Sequence, residues 1–377
     1  MTDSESKPKT RAAPRDPQRS TGPQAADDVV QVEKHDYTAL TPANAPRRQP
    51  MQGFDPEYAD IVDYIVRCTH RIWDERDVGL IDTHYTHNCI VNYTLGASHT
   101  REQVVEGTIQ RLAEFPERRG MAYQVIWNGN DRDGFYTSHL VCGSGLHLGP
   151  GPWGAPTGKR FVAWTIADCM IFENKIYREW IVRDSMGMIL QLGLDGDAIA
   201  RAMAEAHVGM KAEDIGTSER ALGQTPPRES CDTSIASSDM EADIIRALHA
   251  IWNRRMFGGV RKLYSERATV TIPCNRKLYG PGQIVGHVID IMAMMPDAEF
   301  ACDHIATVPA SIEGGMKVAV RWSLRGRHKG YGRLGAPTGK PLYMLGMTHM
   351  HIVDGKIVEE FMLYDELALK AQTYLPR

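Results

Sequence analysis

The sequence predicts an α+β protein that contains two tandem copies of one domain, each with helices packed on one face of a mostly antiparallel sheet. Three observations lead to this prediction. The chain has 377 residues, which exceeds the length of one ordinary domain. Long segments recur at a nearly constant spacing. Within each copy, two helical patterns come first and a run of strand candidates follows.

The internal repeat is the strongest of these observations. HRIWDERDVG from His70 matches HAIWNRRMFG from His249, at an offset of 179 residues. GLHLGPGPWGAPTGK from Gly145 matches GRHKGYGRLGAPTGK from Gly326, at an offset of 181. Because the offset drifts by only two residues over the whole unit, we interpret the chain as a duplication.

Each copy begins with an amphipathic helix. Apolar residues recur at steps of three and four in both copies: Ile61, Ile65, Cys68 and Ile72, and then Ile244, Leu248 and Ile251. A short strand, a helix that ends at Pro116 or Pro296, and four further strand candidates follow. Asp354-Gly355 predicts a hairpin between the last two strands of copy 2. Copy 1 has Glu173-Asn174 at that turn and a final helix after Leu194.

The boundaries follow from composition. Residues 1–52 are rich in proline and lack apolar periodicity, so we predict a disordered tail. Domain 1 is assigned to 53–207 and domain 2 to 239–377. The segment 208–238 is rich in Ser, Thr, Gly and Pro, which predicts a linker.

Charge and composition exclude several classes of function. A net charge of -4 and an isoelectric point near 6.4 disfavour a nucleic-acid surface. No run is apolar enough for a membrane span, and the first residues do not resemble a signal peptide. The seven cysteines are scattered, which predicts reduced thiols in a cytoplasmic protein rather than disulfides or a zinc site.

The order of these motifs resembles the SnoaL-like polyketide cyclase family of the nuclear transport factor 2-like superfamily. The residues concerned are the Trp-Asp or Trp-Asn helix, the PTGK turn, the GKI hairpin and an E-[WF]-x-x-x-D strand. The resemblance covers about residues 55–205 and 240–377. It implies a cone-shaped pocket between the helices and a curved sheet, and acid–base chemistry without a metal or cofactor.

By position, the resemblance places the family's catalytic aspartate at Asp184 and Asp365. The histidine on the preceding strand falls on His351 in copy 2 but on Met170 in copy 1. This departure favours copy 2 as the active cone. In copy 1, His139 and Asp168 are the other candidate catalytic groups.

Alternation along the strands gives a second prediction of what lines each cone. If Val353 faces Ile357 across the hairpin, one face holds a mostly apolar set that should line the pocket. The copy 2 set is Tyr343, Leu345, Met347, His349, His351, Ile357, Phe361, Leu363 and Asp365. The copy 1 set is Trp164, Ile166, Asp168, Met170, Ile176, Trp180, Val182 and Asp184. The preceding strand adds the stripes Val318, Val320, Trp322 and Leu324, and Thr137, His139, Val141 and Gly143.

A one-residue bulge would reverse some of these faces. Aromatic side chains at Trp164, Trp180, Tyr93, Tyr343 and Phe361 would suit a flat, apolar ligand. His349 is a further candidate contact, and His147 and His328 are either pocket-mouth groups or exposed loop residues. Each candidate has a structural alternative, because aspartates cap strand ends or pair with arginine and core histidines satisfy their nitrogens locally.

The leading functional hypothesis is a cofactor-independent lyase or cyclase for a small aromatic or polyketide-like molecule. The alternatives are a non-catalytic binding or scaffold protein, and epoxide hydrolysis in copy 1 with Asp168 and Asp184 activating water. The resemblance also implies that the copies pair through their outer sheet faces as an intramolecular pseudo-dimer, and homo-oligomers are a further possibility. In copy 2, Met344, Met350, Ile352 and Met362 are the residues expected on that outer face.

Overall fold

The computed structural model describes residues 45–215, 229–311 and 313–377. Most of the predicted disordered tail and the middle of the predicted linker lie outside these ranges. The final part of the tail is packed, because Met51 is fully buried and joins Phe54 and Tyr58 in the domain 1 core. Domain 1 therefore begins earlier than residue 53, since these apolar side chains cover the helix that follows them.

Domain 1 combines a six-stranded sheet with five helices among the described residues. The helices are α1 (Ile61–His70, continued by a wider turn at Arg71–Glu75), α2 (Leu80–His84), α3 (Arg101–Glu114), α4 (Ser185–Leu192) and α5 (Gly196–Ala206). The strands are β1 (Tyr85–Asn92), β2 (Ala97–Ser98), β3 (Arg119–Asn130), β4 (Gly134–Leu146), β5 (Arg160–Phe172) and β6 (Lys175–Arg183). Their order in the sheet is β2-β1-β6-β5-β4-β3. Neighbouring strands are antiparallel, except that β1 and β6 pair with each other in parallel.

Domain 2 repeats this architecture. Its helices are α6 (Asp239–Trp252), α7 (Val260–Leu263), α8 (Gly280–Met294) and α9 (Glu366–Gln372). Its strands are β7 (Tyr264–Ile272), β8 (Arg276–Tyr279), β9 (Glu299–Pro309), β10 (Met316–Arg327), β11 (Pro341–Val353) and β12 (Lys356–Tyr364). The order β8-β7-β12-β11-β10-β9 matches domain 1 strand for strand, so the predicted duplication and the α+β fold are confirmed.

Local sequence explains where the elements start and turn. Asp60, Thr100 and Ser238 cap α1, α3 and α6, because each side chain accepts a backbone N–H from the first turn of the helix. The predicted hairpin at Asp354-Gly355 is present, and both residues have positive φ values of 50° and 73°. Those values favour Asp and Gly at a two-residue turn.

A bulge next to each hairpin determines which side chains face the helices. In domain 2, Ile352 pairs with Ile357, but the next pair is His351 with Glu359, so one residue of β12 is left over. In domain 1 the same shift separates the pairs Ile171–Ile176 and Met170–Arg178. Beyond each bulge, the residues predicted to share a face do share one, and only Ile357 and Ile176, next to the turns, lie on the opposite face.

The outer faces of the two sheets pack against each other, which makes the chain an intramolecular pseudo-dimer. Trp164 of β5 packs between Tyr123 and Phe361, with ring centroids 5.0 and 4.7 Å away. The imidazole of His304 on β9 stacks on Tyr136 of β4 at 3.4 Å. The predicted pairing through the sheets is therefore present.

The interface also contains a buried ion pair. Asp168 accepts a hydrogen bond from Ser138 at 2.6 Å and another from Tyr136, and it lies 3.7 Å from Arg321 of domain 2. The Arg321 guanidinium stacks on Trp180, 3.4 Å from the ring centroid.

Within the described ranges, no helix has the length and apolar character that crossing a membrane requires.

Candidate functional site in the domain 1 cone

A cavity of about 320 Å³ lies between α1, α3 and the inner face of the domain 1 sheet. This volume lies at the lower end of the range for small-molecule sites. The helices contribute apolar walls that include Ile72, Trp73 and Val104. The sheet contributes His139, Val141, Thr165, Glu179, Ile181 and Arg183, which point inward from β4, β5 and β6.

Glu179 of β6 is the buried carboxyl group of this cavity. The Tyr85 hydroxyl donates a hydrogen bond to Glu179 Oε2 at 3.0 Å, and the Asn92 side chain donates to the Glu179 backbone carbonyl, also at 3.0 Å. Burial raises the pKa of Glu179 to about 7, despite the opposing effect of the Tyr85 hydrogen bond and the Arg183 charge. The Glu179 carboxyl can therefore both accept and return a proton near neutral pH.

His139 lies on the same inner face, as its position in the β4 stripe predicted. Burial lowers the pKa of His139 to about 4, so its imidazole is neutral at pH 7. Its Nε2 atom is buried and has no hydrogen-bond partner among the described residues. A neutral imidazole with a free nitrogen can orient a substrate oxygen.

Three guanidinium groups also line the cavity. Arg111 of α3 pairs with Glu114 at 3.1 Å and stacks over Trp153 at 4.6 Å. Burial lowers the pKa of Arg111 to about 10 and that of Arg118 to about 9, so both stay protonated at neutral pH. Arg183 enters from the end of β6. Tyr93, predicted as a wall residue, lines the cavity beside Arg183.

The equivalent positions in domain 2 carry apolar or aromatic side chains. Val320 replaces His139, Ile291 replaces Arg111, Ala298 replaces Arg118, Tyr364 replaces Arg183 and Met294 replaces Glu114. All five replacing residues are buried.

Stacked rings occupy the interior of the domain 2 cone. Trp322 stacks on Trp252 at 6.1 Å between ring centroids and contacts Phe300 at 6.2 Å. Its indole lies flat on Gly346, where a Cβ would be only 2.1 Å from Trp322 Cζ2. The polar chemistry is therefore concentrated in domain 1, although Glu360 repeats the buried carboxyl and accepts from Tyr264 at 2.5 Å.

The predicted pocket faces of the last two strands in each domain are wrong. Asp168, Trp164, Trp180, His349, Tyr343 and Phe361 lie on the outer faces, between the domains. Conversely, Met344, Met350, Ile352 and Met362, expected outside, belong to the domain 2 core. Both faces of each sheet are apolar because both are covered, and the apolar face predicted to line the pocket is the one that packs against the other domain. The stripe predicted on β10 does face the helices.

The two aspartates at the strand ends cap helices. Asp184 accepts the Gly187 N–H at the start of α4 and the N–H of Cys274 from domain 2, at 3.0 and 2.8 Å. Asp365 accepts the Ala368 N–H at the start of α9 at 3.0 Å, and Ser185 donates to it at 2.7 Å. Burial raises the pKa of Asp365 to about 6. Their catalytic role stays a prediction, and neither lines the domain 1 cavity.

The remaining predicted histidines make local contacts. His349 lies inside the domain interface, where its Nδ1 donates to Gln124 Oε1 at 2.8 Å and its Nε2 lies 2.8 Å from Ser138 Oγ. His351 lies 2.7 Å from the Gly314 carbonyl and 3.2 Å from Glu313, away from the domain 1 cone.

His147 and His328 are buried, neither at a pocket mouth nor exposed. The backbone of each histidine hydrogen-bonds to the lysine that ends the PTGK turn, and each ring lies 3.3 Å from the threonine of that turn. The arrangement expected for epoxide hydrolysis is absent from the described residues, because Asp168 and Asp184 do not share a cavity.

Glu179 and the three arginines were not predicted as functional residues. Glu179 and Glu360 are the invariant glutamates of the repeated E-[WF]-x-x-x-D pattern, so the repeat itself contained the signal. The sequence of domain 1 alone does not mark the arginines as cavity residues. Comparison of the copies reveals them, because Arg111 of α3, Arg118 just before β3 and Arg183 of β6 match apolar or aromatic residues in domain 2.

Residues 242–373 match the family model described as SnoaL-like polyketide cyclase. Domain 2 is a SnoaL-like domain. The match does not extend to domain 1, which has the same strand order and repeats the sequence motifs of domain 2. The matched half is thus the one whose cone is packed with aromatic side chains. None of the curated proteins matches the chain in sequence.

Several solved structures are similar to parts of the chain. AclR from Streptomyces galilaeus is 21% identical, with 37% of this chain and 87% of AclR covered and a TM-score of 0.31. IdmH from Streptomyces antibioticus is 23% identical, with 36% and 98% covered and a TM-score of 0.30. TsrD from Streptomyces laurentii is 16% identical, with 35% and 94% covered and a TM-score of 0.31.

Proposed function

We propose that domain 1 is a cofactor-independent lyase or cyclase that uses Glu179 for proton transfer on a small aromatic or polyketide-like molecule. The observation that carries this proposal is the buried Glu179 carboxyl, which lines the domain 1 cavity and has a pKa of about 7. A proton-transfer group is most effective when its pKa lies near the working pH.

The geometry suits proton abstraction beside a carbonyl group. Ionised Glu179 would remove the proton, and the Tyr85 hydroxyl, already hydrogen-bonded to this carboxyl, would hold it in place. The neutral imidazole of His139 would donate to the carbonyl oxygen as it becomes an enolate. In an aldol closure, the enolate attacks a second carbonyl and protonated Glu179 gives its proton to the new alkoxide; in a dehydration it gives the proton to the departing hydroxyl group, which leaves as water. In the retro-aldol direction, ionised Glu179 would take the β-hydroxyl proton, the carbon–carbon bond would break, and the proton would go to the enolate carbon.

Domain 2 supports this role as a packing partner. Its cone is occupied by Trp322 and Trp252, and its sheet covers the outer face of the domain 1 sheet. The sequence favours copy 2 through Asp365 and His351, but neither residue lines the cavity that contains Glu179. We therefore place the chemistry in domain 1.

A proton-exchange assay tests the proposal without knowledge of the natural substrate. The probe is 2-tetralone, an aromatic ketone with acidic protons beside its carbonyl, and NMR follows their exchange in D₂O. Glu179→Gln should lower the enzyme-dependent rate by ~10²-fold or more, because it removes the proton-transfer group. Glu360→Gln is the matched control in domain 2 and should leave the rate unchanged.

The pH dependence gives an independent readout. The wild-type rate should rise as pH increases through about 7, since only the ionised form of Glu179 accepts a proton. Equal rates for wild type and Glu179→Gln would contradict the proposal, as would wild-type exchange no faster than in buffer. Loss of exchange in Glu360→Gln alone would move the chemistry to domain 2.

A further inference from the structure

The domain 1 cavity contains more positive than negative charge. Its lining includes the guanidinium groups of Arg111, Arg118 and Arg183 and the carboxyl groups of Glu114 and Glu179. Glu114 is already paired with Arg111. Because Glu179 has a raised pKa, it is only partly ionised at neutral pH. Neither Arg118 nor Arg183 forms an ion pair with a described residue, and the further carboxyl groups whose charges act on them, Asp74 and Asp365, lie outside the cavity lining.

Arg118 shows this most clearly. Its guanidinium lies over the Trp73 ring, 4.2 Å from the centroid, which orients its plane within the cavity wall. Its Nη1 atom is shielded from solvent and has no hydrogen-bond partner among the described residues. Buried polar groups are normally satisfied, so an unsatisfied donor on a cavity wall indicates a missing partner. His139 Nε2 is a second unsatisfied atom in the same lining.

The fold does not require these charges. Domain 2 has the same strand order but carries Ile291, Ala298 and Tyr364 at the three arginine positions. Burying a cation costs free energy, and the buried apolar or aromatic side chains at these positions in domain 2 show that the fold forms without the charges. The arginines of domain 1 therefore have a role other than packing.

We infer that the domain 1 cone binds an aromatic small molecule that carries a carboxylate, held by Arg118 and Arg183. This inference rests on the proposed function, since it names the class of substrate for the same site. A planar guanidinium matches a carboxylate with two parallel hydrogen bonds, which a neutral amide cannot reproduce. The ring system would lie against Trp73 and Tyr93, with its reacting carbon towards Glu179.

Calorimetry on the full chain tests the inference with two probes of the same shape. The probes are 2-naphthoate and its neutral analogue 2-naphthamide. We expect 2-naphthoate to bind at least ~10-fold more tightly, the difference expected for one charge-assisted contact. Added salt should weaken only the binding of 2-naphthoate. Equal affinity for both probes, or no saturable binding of 2-naphthoate, would overturn the inference.

Substitutions assign the contact to residues. Arg118→Gln and Arg183→Gln should each reduce 2-naphthoate affinity ~10-fold or more and leave 2-naphthamide affinity unchanged. Arg261→Gln, at an exposed arginine of domain 2, is the control for the lost charge. If Arg118→Gln does not fold, Arg183→Lys still tests the point, because it keeps the charge and should lose part of the affinity. Arginine variants that bind 2-naphthoate as well as Arg261→Gln does would refute the assignment.

The two proposals fail separately. Glu179→Gln should still bind 2-naphthoate, since the anion contact does not involve that carboxyl. If the protein still prefers 2-naphthoate but Glu179→Gln exchanges protons as fast as the wild type, the catalytic role of Glu179 is rejected and the carboxylate site stands. If Glu179→Gln loses proton exchange but the protein binds 2-naphthoate and 2-naphthamide equally, the catalytic role stands and the carboxylate site is rejected.

Discussion

Glu360→Gln should stabilise the protein at alkaline pH, although it replaces a fully buried glutamate. Glu360 lies in the apolar cone of domain 2, and burial raises its pKa from 4.5 to about 7. A carboxyl with a raised pKa in the folded state contributes stability that is fully present below pH 4.5 and lost as pH rises through about 7. Above that pH the folded protein holds a buried carboxylate.

The size of the effect follows from the pKa change. At about 1.4 kcal/mol per pH unit, the rise from 4.5 to about 7 corresponds to about 3 kcal/mol. Glutamine stays neutral and can still accept the hydrogen bond from Tyr264. Its advantage over the wild type should therefore be near zero at pH 4.5 and about 3 kcal/mol at pH 8.

Urea unfolding followed by tryptophan fluorescence measures this, because Trp252 and Trp322 report on the domain 2 core. The control is Glu266→Gln, at an exposed glutamate of the same domain, which should change stability little at either pH. An effect of Glu360→Gln that is the same at pH 5 and pH 8 would refute the reasoning. So would destabilisation at pH 8.

Two further predictions concern the packing of the pair. Gly346→Ala should destabilise domain 2 by about 1–3 kcal/mol, because the new methyl group would displace the indole of Trp322, and thermal unfolding would show it. No loss of stability would mean that the indole moves freely. Asp168→Asn should cost about 3–5 kcal/mol in urea unfolding, since it leaves the buried Arg321 cation without its carboxylate, whereas Asp290→Asn on the exposed side of α8 should have little effect. Equal stability of these two variants would contradict the importance of the interface ion pair.

The sequence predicted the fold in detail because its evidence is local and repeated. The helix caps, the Asp354-Gly355 hairpin and the matched PTGK turns each depend on residues close together in the chain. The duplication supplied every element twice. Two strand faces were also predicted correctly: the β10 stripe that contains Trp322 points to the helices of domain 2, and the β4 stripe that contains His139 points into the domain 1 cavity.

The site was harder to predict because alternation identifies faces but not what covers them. Trp180 and Phe361 are apolar and buried, as a pocket wall would be, but a second sheet covers them. Asp184 and Asp365 occupy the strand ends that a helix cap and a catalytic group would both favour.

The interface ion pair has a consequence for partner choice. Under the pseudo-two-fold relation of the domains, Asp168 corresponds to His349, and Arg321 corresponds to Leu140. Two copies of domain 2 would therefore bury Arg321 opposite His349, and two copies of domain 1 would bury Asp168 opposite Leu140. Only the unequal pair neutralises the buried guanidinium. The ion pair therefore favours pairing of the two unlike domains over pairing of two copies of either one.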